Sequence, residues 1–271
     1  PVLNSLSEIH AWAAFCSAHG EKLAAAVHID TGMSRLGLGD RELAALIDDP
    51  SPLRAFTTGL VLSHLACAED AASPKNAEQL AAFNKAAAAF GKTKRSLANS
   101  PGIFLGPEYH FDLVRPGVAI YGSNPTPGNP DPNSNPMAQV ISLQGKIIQV
   151  RDVDSPLSVG YGSTHIAAPG TKIATIAVGY ADGYPRSLSN RAGGYIGSVR
   201  VPLVGRVSMD LITFDVSGVA ADAADAARPG DFIDLIGPHN DIDDMAREAG
   251  TIGYEILTRL GRRYHRRYVG G

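Results

Sequence analysis

The sequence predicts an α/β half followed by a mainly β domain, and three features of the 271-residue chain lead to that class. Up to about residue 122, short apolar runs alternate with Ala-rich helical stretches; from Gly122 to Pro136 the composition turns to SNPTPGNPDPNSNP; beyond it, β-rich runs are separated by Gly, Pro and Asp turns. Apolar spacing near 3.6 marks the helices, and short runs bounded by turn formers mark the strands.

In order along the first half, helical stretches at residues 5–19, 41–47 and 78–90 alternate with apolar runs at 23–29 and 60–64. The runs LAAAVHID, GLVLSHLA and FDLVRPGVAIYG are short and bounded by Gly, Pro or Asp, as strands of a parallel sheet buried on both faces are. In such a sheet the residues at strand ends carry the chemistry. A closed (β/α)8 barrel takes about 250 residues. The 122 residues ahead of the Pro-rich stretch therefore hold about half a barrel, or a smaller α/β domain. The Pro-rich stretch excludes helix and central strand alike and reads as an interdomain linker. After it, AQVISLQGKIIQV, TKIATIAVGY, GSVRVPLVGRVSMDLITFDV and DFIDLIG read as strands. A helix is expected over 243–261, with Asp243 as its N-cap and Gly261 just past its end. No internal repeat is visible.

With 44% hydrophobic residues the chain can bury a large core, and a net charge of −3 gives no field that draws it to nucleic acid or an anionic membrane. A small polar substrate suits it better. Cys16 and Cys67 have no metal-type spacing and are too few for a disulfide scaffold, so no metal site and a reducing, cytoplasmic location are expected. No apolar run reaches the roughly 18 residues of a membrane span, and Pro1 opens neither a signal peptide nor a transit segment. The basic tail RLGRRYHRRYVGG reads as a solvated strand or helix end; nucleic-acid binding through its alternating Arg and Tyr is the weaker alternative without a positive net charge.

Eight segments carry a resemblance: HIDTGMSRLG from His28, SHLACAED from Ser63, ANSPG from Ala98, LVRPGVAIYG from Leu113, VGYGSTH from Val159, VGYADGYPR from Val178, VGRVSMD from Val204 and GTIGYEILTRL from Gly250. Together and in this order they resemble the alanine racemases, pyridoxal-phosphate enzymes of fold-type III. The resemblance implies a partial (β/α)8 TIM-like barrel lacking its N-terminal strands over residues 1–124, a linker over 125–136 and a β-rich C-terminal domain over 137–271. It also implies interconversion of L- and D-alanine for peptidoglycan, with pyridoxal 5'-phosphate as cofactor.

Racemisation removes a weakly acidic Cα proton and returns one from the opposite face, which requires an electron sink and two bases; the cofactor is the sink and the protein provides the bases and their electrostatics. By the resemblance, Arg115 faces the pyridine nitrogen. As a permanent cation and obligate donor, it keeps that nitrogen unprotonated and discourages side reactions. Tyr161 is the second base, reaching into the partner subunit's site of a homodimer. A free phenol ionises near pH 10, so it needs positive or hydrogen-bonding neighbours, and a relay of Arg115, His64 and Tyr161 is implied. Ser100, Gly117, Val118 and Tyr254 fall where the family binds phosphate, at loop and helix starts where backbone donors are free. Arg35 and the Met209 backbone amide match the contacts to the substrate carboxylate, and Tyr180 the constricted entrance that favours alanine. Asp30, Asp182 and Asp210 are expected to be structural acceptors.

Two departures stand out. Many relatives have a lysine, often carbamylated, where His28 stands, and a neutral imidazole is no substitute for that anion. The cofactor-binding lysine of the family sits in a VKANAYGHG-like segment, and none of Lys22, Lys75, Lys85, Lys92, Lys94, Lys146 and Lys172 has such surroundings. Lys75, Lys85, Lys92 and Lys94 are expected in an exposed helical region. The expectation is a chain that is the C-terminal portion of a longer polypeptide, partnered by an N-terminal segment carrying that lysine and inactive alone. The alternatives are a serine or broad-specificity racemase, or a non-catalytic fragment.

Overall fold

The computed structural model describes residues 1–127, 135–220 and 227–270, so half of the Pro-rich stretch, residues 128–134, lies outside the described residues. The chain divides into two compact units, residues 1–120 with 124–136, and residues 121–123 with 137–271.

The first unit is a parallel sheet of β1 (Val2–Leu3), β2 (Ala24–His28), β3 (Thr57–Leu62) and β4 (Arg95–Ser96), ordered as in the sequence. Between them run α1 (Leu6–His19), α2 (Asp40–Asp48) and α3 (Pro74–Ala87). α1 starts where Ser5, in extended conformation, accepts from the Glu8 N–H, and it stops at Gly20 in the left-handed region. α3 starts with Pro74 at its first position, where the missing N–H costs nothing. Two cores line one face of the sheet, since Val27 of the first and Ile29 of the second lie two residues apart, and β2 alternates buried with part-exposed residues rather than being covered on both faces. Leu3, Ile9, Val27, Leu46 and Phe56 pack under α1 and α2, while Ile29, Val61, Phe83 and Leu97 pack under α3.

One expected strand is absent. FDLVRPGVAIYG contributes a single parallel bridge, Asn99 to Arg115, and then a 3-10 turn, Val118–Tyr121. Pro116 has no N–H for a ladder, and the next donors, Gly117 and Ala119 N–H, go to the Ser100 hydroxyl at 2.7 and 3.3 Å. Lys92 and Lys94 likewise lie beyond α3, in the turn that leads into β4.

In the second unit β5 (Leu143–Asp152), β8 (Lys172–Ile176), β9 (Gly193–Ile196), β10 (Val199–Pro202), β11 (Ile212–Asp215) and β12 (Phe232–Ile236) form a sheet ordered β10-β9-β12-β5-β8-β11. An antiparallel bridge from Leu203 to Phe214 joins its two edges and leaves neither open. Ile147, Ile176, Leu188, Phe214 and Ile233 fill the interior. β6 (Leu157–Val159) and β7 (His165–Ala167) make a separate hairpin.

The helix expected over 243–261 is two helices, α4 (Ile242–Ala249) and α5 (Gly253–Arg259). Its cap is Asp241, not Asp243: Asp241 and Asp244 satisfy each other's backbone N–H in a capping box. Gly250, at φ 72°, ends α4 with its N–H on the last carbonyls. No helix among the described residues is long and apolar enough to cross a membrane.

Candidate active site

Parallel pairing brings the C-terminal ends of β1 to β4 to one edge of the sheet, so Asn4, His28, His64 and the 98–100 segment share a mouth although they lie far apart in sequence. Each side chain there is held by the turn that carries it. After β2, Asp30 Oδ1 accepts from the N–H groups of Gly32, Met33 and Ser34 at 2.9, 3.0 and 3.1 Å, shaping the loop that presents Arg35. Burial opposes the Asp30 charge, but the three N–H donors and nearby His28 outweigh it and hold the carboxyl below its ordinary range.

Arg115 enters from the 3-10 side. Its Nη1 donates to Ser96 Oγ and its Nη2 to the carbonyls of Ser63 at 2.5 Å and Leu97 at 3.3 Å. Burial lowers its pKa without threatening its charge. Two imidazoles share this field. His64 is pulled down to about 4, first by burial and then by the guanidiniums of Arg115 and Arg35. His28 is lowered by burial, then by Arg115, with Arg35 adding a smaller push. Both are neutral at pH 7, beside two guanidiniums and one carboxylate already committed to backbone. The mouth is thus receptive to an anion.

The tautomers follow from the amides. Asn99 Oδ1 accepts from Gly102 N–H at 3.0 Å, which turns its Nδ2 toward His64 Nε2 at 3.5 Å. His64 Nε2 is therefore the acceptor and Nδ1 carries the proton. Asn4 Nδ2 donates to Val2 O and Glu8 Oε2, leaving Oδ1 to accept from His28 Nδ1 at 2.9 Å. Ser100 Oγ collects the Gly117 and Ala119 N–H groups, so two main-chain donors converge on one oxygen, and Val118 lies buried between them.

In the second unit Tyr161 stands on the turn Tyr161–Ser163, between Gly160 and Gly162, both at φ 72°, and is 72% exposed. Tyr180 and Met209 are brought together by backbone: Tyr180 N–H donates to Ser208 O and Ala181 N–H to Met209 O, each at 3.0 Å. Gly179 makes this approach possible, since a Cβ there would lie 2.2 Å from Met209 O. Tyr254 is the second residue of α5 and partly exposed.

Sequence reading missed three residues here. Gln79 is fully buried on α3; it accepts from Ala66 N–H at 2.8 Å and donates to His64 O at 2.9 Å and Thr31 Oγ1 at 3.3 Å, tying the loops after β2 and β3 together. A glutamine on an apolar helix face was its only signal. Asn4 had none. Arg206 lies against the Tyr161 turn, its guanidinium carbon 3.1 Å from where a Gly162 Cβ would sit. Among the described residues no group of three or more His, Cys, Asp or Glu could hold a metal ion.

A parallel α/β sheet with cations and neutral imidazoles at its strand ends, joined in one chain to an edge-joined antiparallel β domain, defines a two-domain barrel protein with an anion-receptive mouth. The family model "Alanine racemase, N-terminal domain" matches residues 1–125, and "Alanine racemase, C-terminal domain" matches residues 140–268. The chain belongs to the alanine racemase family. It is 59% identical over 270 residues to the alanine racemase of Rhodospirillum rubrum, covering all of this chain and 70% of that protein. It is 46% identical to a catabolic alanine racemase of Mesorhizobium japonicum, covering 68% of that protein. Among solved structures, alanine racemase from Bartonella henselae with covalently bound pyridoxal phosphate superposes with a TM-score of 0.90 at 40% identity, over 99% of this chain and 73% of that one. The enzyme from a D-cycloserine-producing Streptomyces lavendulae gives 0.90 at 30% identity, over 100% and 72%.

Proposed function

We propose that this chain serves the interconversion of L- and D-alanine with pyridoxal 5'-phosphate, a reaction that supplies D-alanine for peptidoglycan in the cytoplasm. The observation that carries the reading is the half-buried Arg115 guanidinium, fixed on Ser63 O, Ser96 Oγ and Leu97 O beside two neutral imidazoles. The donors at the mouth fit the cofactor: a permanent cation suits an unprotonated pyridine nitrogen, and the Ser100 hydroxyl, whose oxygen accepts from the Gly117 and Ala119 N–H groups and whose own proton can turn outward, suits a phosphate oxygen. His64, Ser100, Arg115, Gly117, Val118 and Tyr254 would hold it. When bound, the cofactor supplies the electron sink for Cα deprotonation.

The protein's own residues do the rest. Tyr161 takes or returns the Cα proton at its phenol oxygen, within the partner subunit's site of a homodimer; its high exposure on a Gly-flanked turn supports that reach. In that site Arg115 would supply a cation and neutral His64 a hydrogen-bonding partner. Arg35 and the Met209 amide bind the substrate carboxylate, while the Tyr180 ring narrows the entrance. We place the second base, the cofactor lysine, in a VKANAYGHG-like segment that none of this chain's lysines occupies. Lys75, for one, is paired with Glu78 at 3.5 Å and lies against Gly32.

The test is L-alanine in deuterium oxide with the cofactor-loaded enzyme. D-alanine carrying deuterium at Cα is expected, with serine turned over more slowly. Faster serine turnover would make the enzyme a serine or broad-specificity racemase. Borohydride treatment of this chain alone with the cofactor should label none of its lysines stoichiometrically; full labelling of one, with activity following it, would overturn the lysine assignment.

A further inference from the structure

The basic C-terminal tail, expected to be a solvated end, carries a specific clamp. Arg263 Nε lies 3.2 Å from Asp182 Oδ1, and its Nη2 lies 2.7 Å from Asp210 Oδ1. These two carboxylates belong to the segments that bear Tyr180 and Met209. Asp182 is buried, with 8% of its side chain exposed, and its second oxygen accepts from Gly179 N–H at 2.9 Å. A buried carboxylate needs a cation to offset its lost hydration, and Arg263 is the one bonded to it. The tail is anchored on either side of this contact: Gly261 N–H donates to Asp182 O at 3.0 Å, Arg266 donates to Leu260 O and Gly261 O, and Tyr264 packs against the core. Gly183 permits the approach, since a Cβ there would lie 1.9 Å from Arg259 O.

We infer that Arg263 is a positioning residue that fixes the separation of Tyr180 and Met209, and with it the size of side chain the entrance admits. The inference rests on the proposed placement of Tyr180 and Met209 at the substrate. A guanidinium suits the task because its rigid fork reaches two carboxylates at once, whereas an ammonium is a point charge. Each bond acts through one carboxylate on one segment. Losing the cation removes both of these bonds, so the two segments are held together by the Tyr180 N–H to Ser208 O and Ala181 N–H to Met209 O bonds alone, and Asp182 is left buried without its cation.

The test compares the complete holoenzyme with Arg263→Ala, Arg263→Lys and Asp210→Asn, using Arg262→Ala as control. Asp210 is half exposed, so Asp210→Asn opens one side of the clamp with Asp182 still paired, and serves if Arg263→Ala does not fold. Amide exchange of Tyr180 and Ala181 is expected to rise about tenfold in Arg263→Ala, less in Arg263→Lys and Asp210→Asn, and not in Arg262→Ala. KM for alanine should rise about fivefold with kcat within twofold, and the preference for alanine over serine should fall by a similar factor. Unchanged exchange in both Arg263→Ala and Asp210→Asn overturns the clamp whatever the kinetics. A Tyr180→Ala enzyme with unaltered alanine preference overturns the reading of Tyr180 itself. Altered preference in Tyr180→Ala but not in Arg263→Ala defeats the positioning role alone.

Discussion

Asn4 Oδ1 accepts a hydrogen bond from His28 Nδ1 at 2.9 Å, so the residue just after β1 and the last residue of the neighbouring parallel strand β2 fix one imidazole tautomer. The bond leaves His28 Nε2 with its lone pair, an acceptor where many relatives carry an anion. Asn4→Asp would replace a neutral acceptor with a carboxylate and favour the imidazolium, raising the His28 pKa. Imidazole chemical shifts followed through a pH titration read this directly. An unmoved His28 midpoint would show that the Asn4 contact does not form in solution.

The lowered histidine pKa values set how stability responds to acid. An unfolded histidine takes its proton near pH 6.5, whereas His64 in the folded chain takes it only at about 4. Between those values the unfolded state binds more protons, so stability falls as pH drops through the window and loses nothing further to His64 below it. The full shift would correspond to about 3 kcal/mol, and partial solvent exposure brings it to on the order of 1 to 2 kcal/mol. Urea midpoints of the cofactor-free protein at pH 7.5 and pH 4.5 should differ more than those of His64→Gln. Equal pH sensitivity in the two proteins would remove His64 as the cause.

The strands β2 and β3 and the helices α1 to α3 were legible because each is a local pattern: a cap, an apolar period, a bounding Gly or Pro. FDLVRPGVAIYG misled because an apolar run alone does not reveal where its N–H groups go, and here Ser100 competes for them. The 243–261 stretch reads as one helix because its apolar spacing is continuous, whereas the Asp241 and Asp244 box starts α4 earlier and Gly250, in the left-handed region, ends it. Within the site, residues inside family motifs could be numbered from sequence, but the partners that hold them could not. Asn4 is 24 residues from His28, and Arg263 is 81 from Asp182 by number (263 − 182). Contacts of that span are set by sheet order and tail path, which no local pattern encodes.

Gln79 makes the loops after β2 and β3 a single unit, so Gln79→Leu should leave His64 O and Ala66 N–H without their partner, and Thr31 Oγ1 with its Ser63 Oγ bond alone, at nearly constant volume. The cost expected is roughly 2 to 3 kcal/mol, read as a lower urea midpoint at unchanged slope. Weaker cofactor binding should accompany it, since His64 hangs from one of these loops. A stability change under 0.5 kcal/mol, the range of about ±0.5 kcal/mol typical of inert surface substitutions, would mean that water replaces the amide freely.

Tyr161→Phe isolates the proton-transfer role, because the side chain is 72% exposed and its hydroxyl is the only group removed. Nothing in the core depends on that ring, so the thermal midpoint and the absorption of the bound cofactor should stay close to those of the parent. Exchange of the L-alanine α-proton with solvent should fall by about 100-fold or more, the span typical of losing a positioned acid or base. Exchange starting from D-alanine should fall less, because by the two-base reading a different group removes that proton. The asymmetry is the sharper readout: a merely misfolded loop would slow both directions alike. Equal exchange rates in mutant and parent from L-alanine would take Tyr161 out of the reaction. Equal losses from both enantiomers would leave it as a positioning side chain with no proton of its own to move.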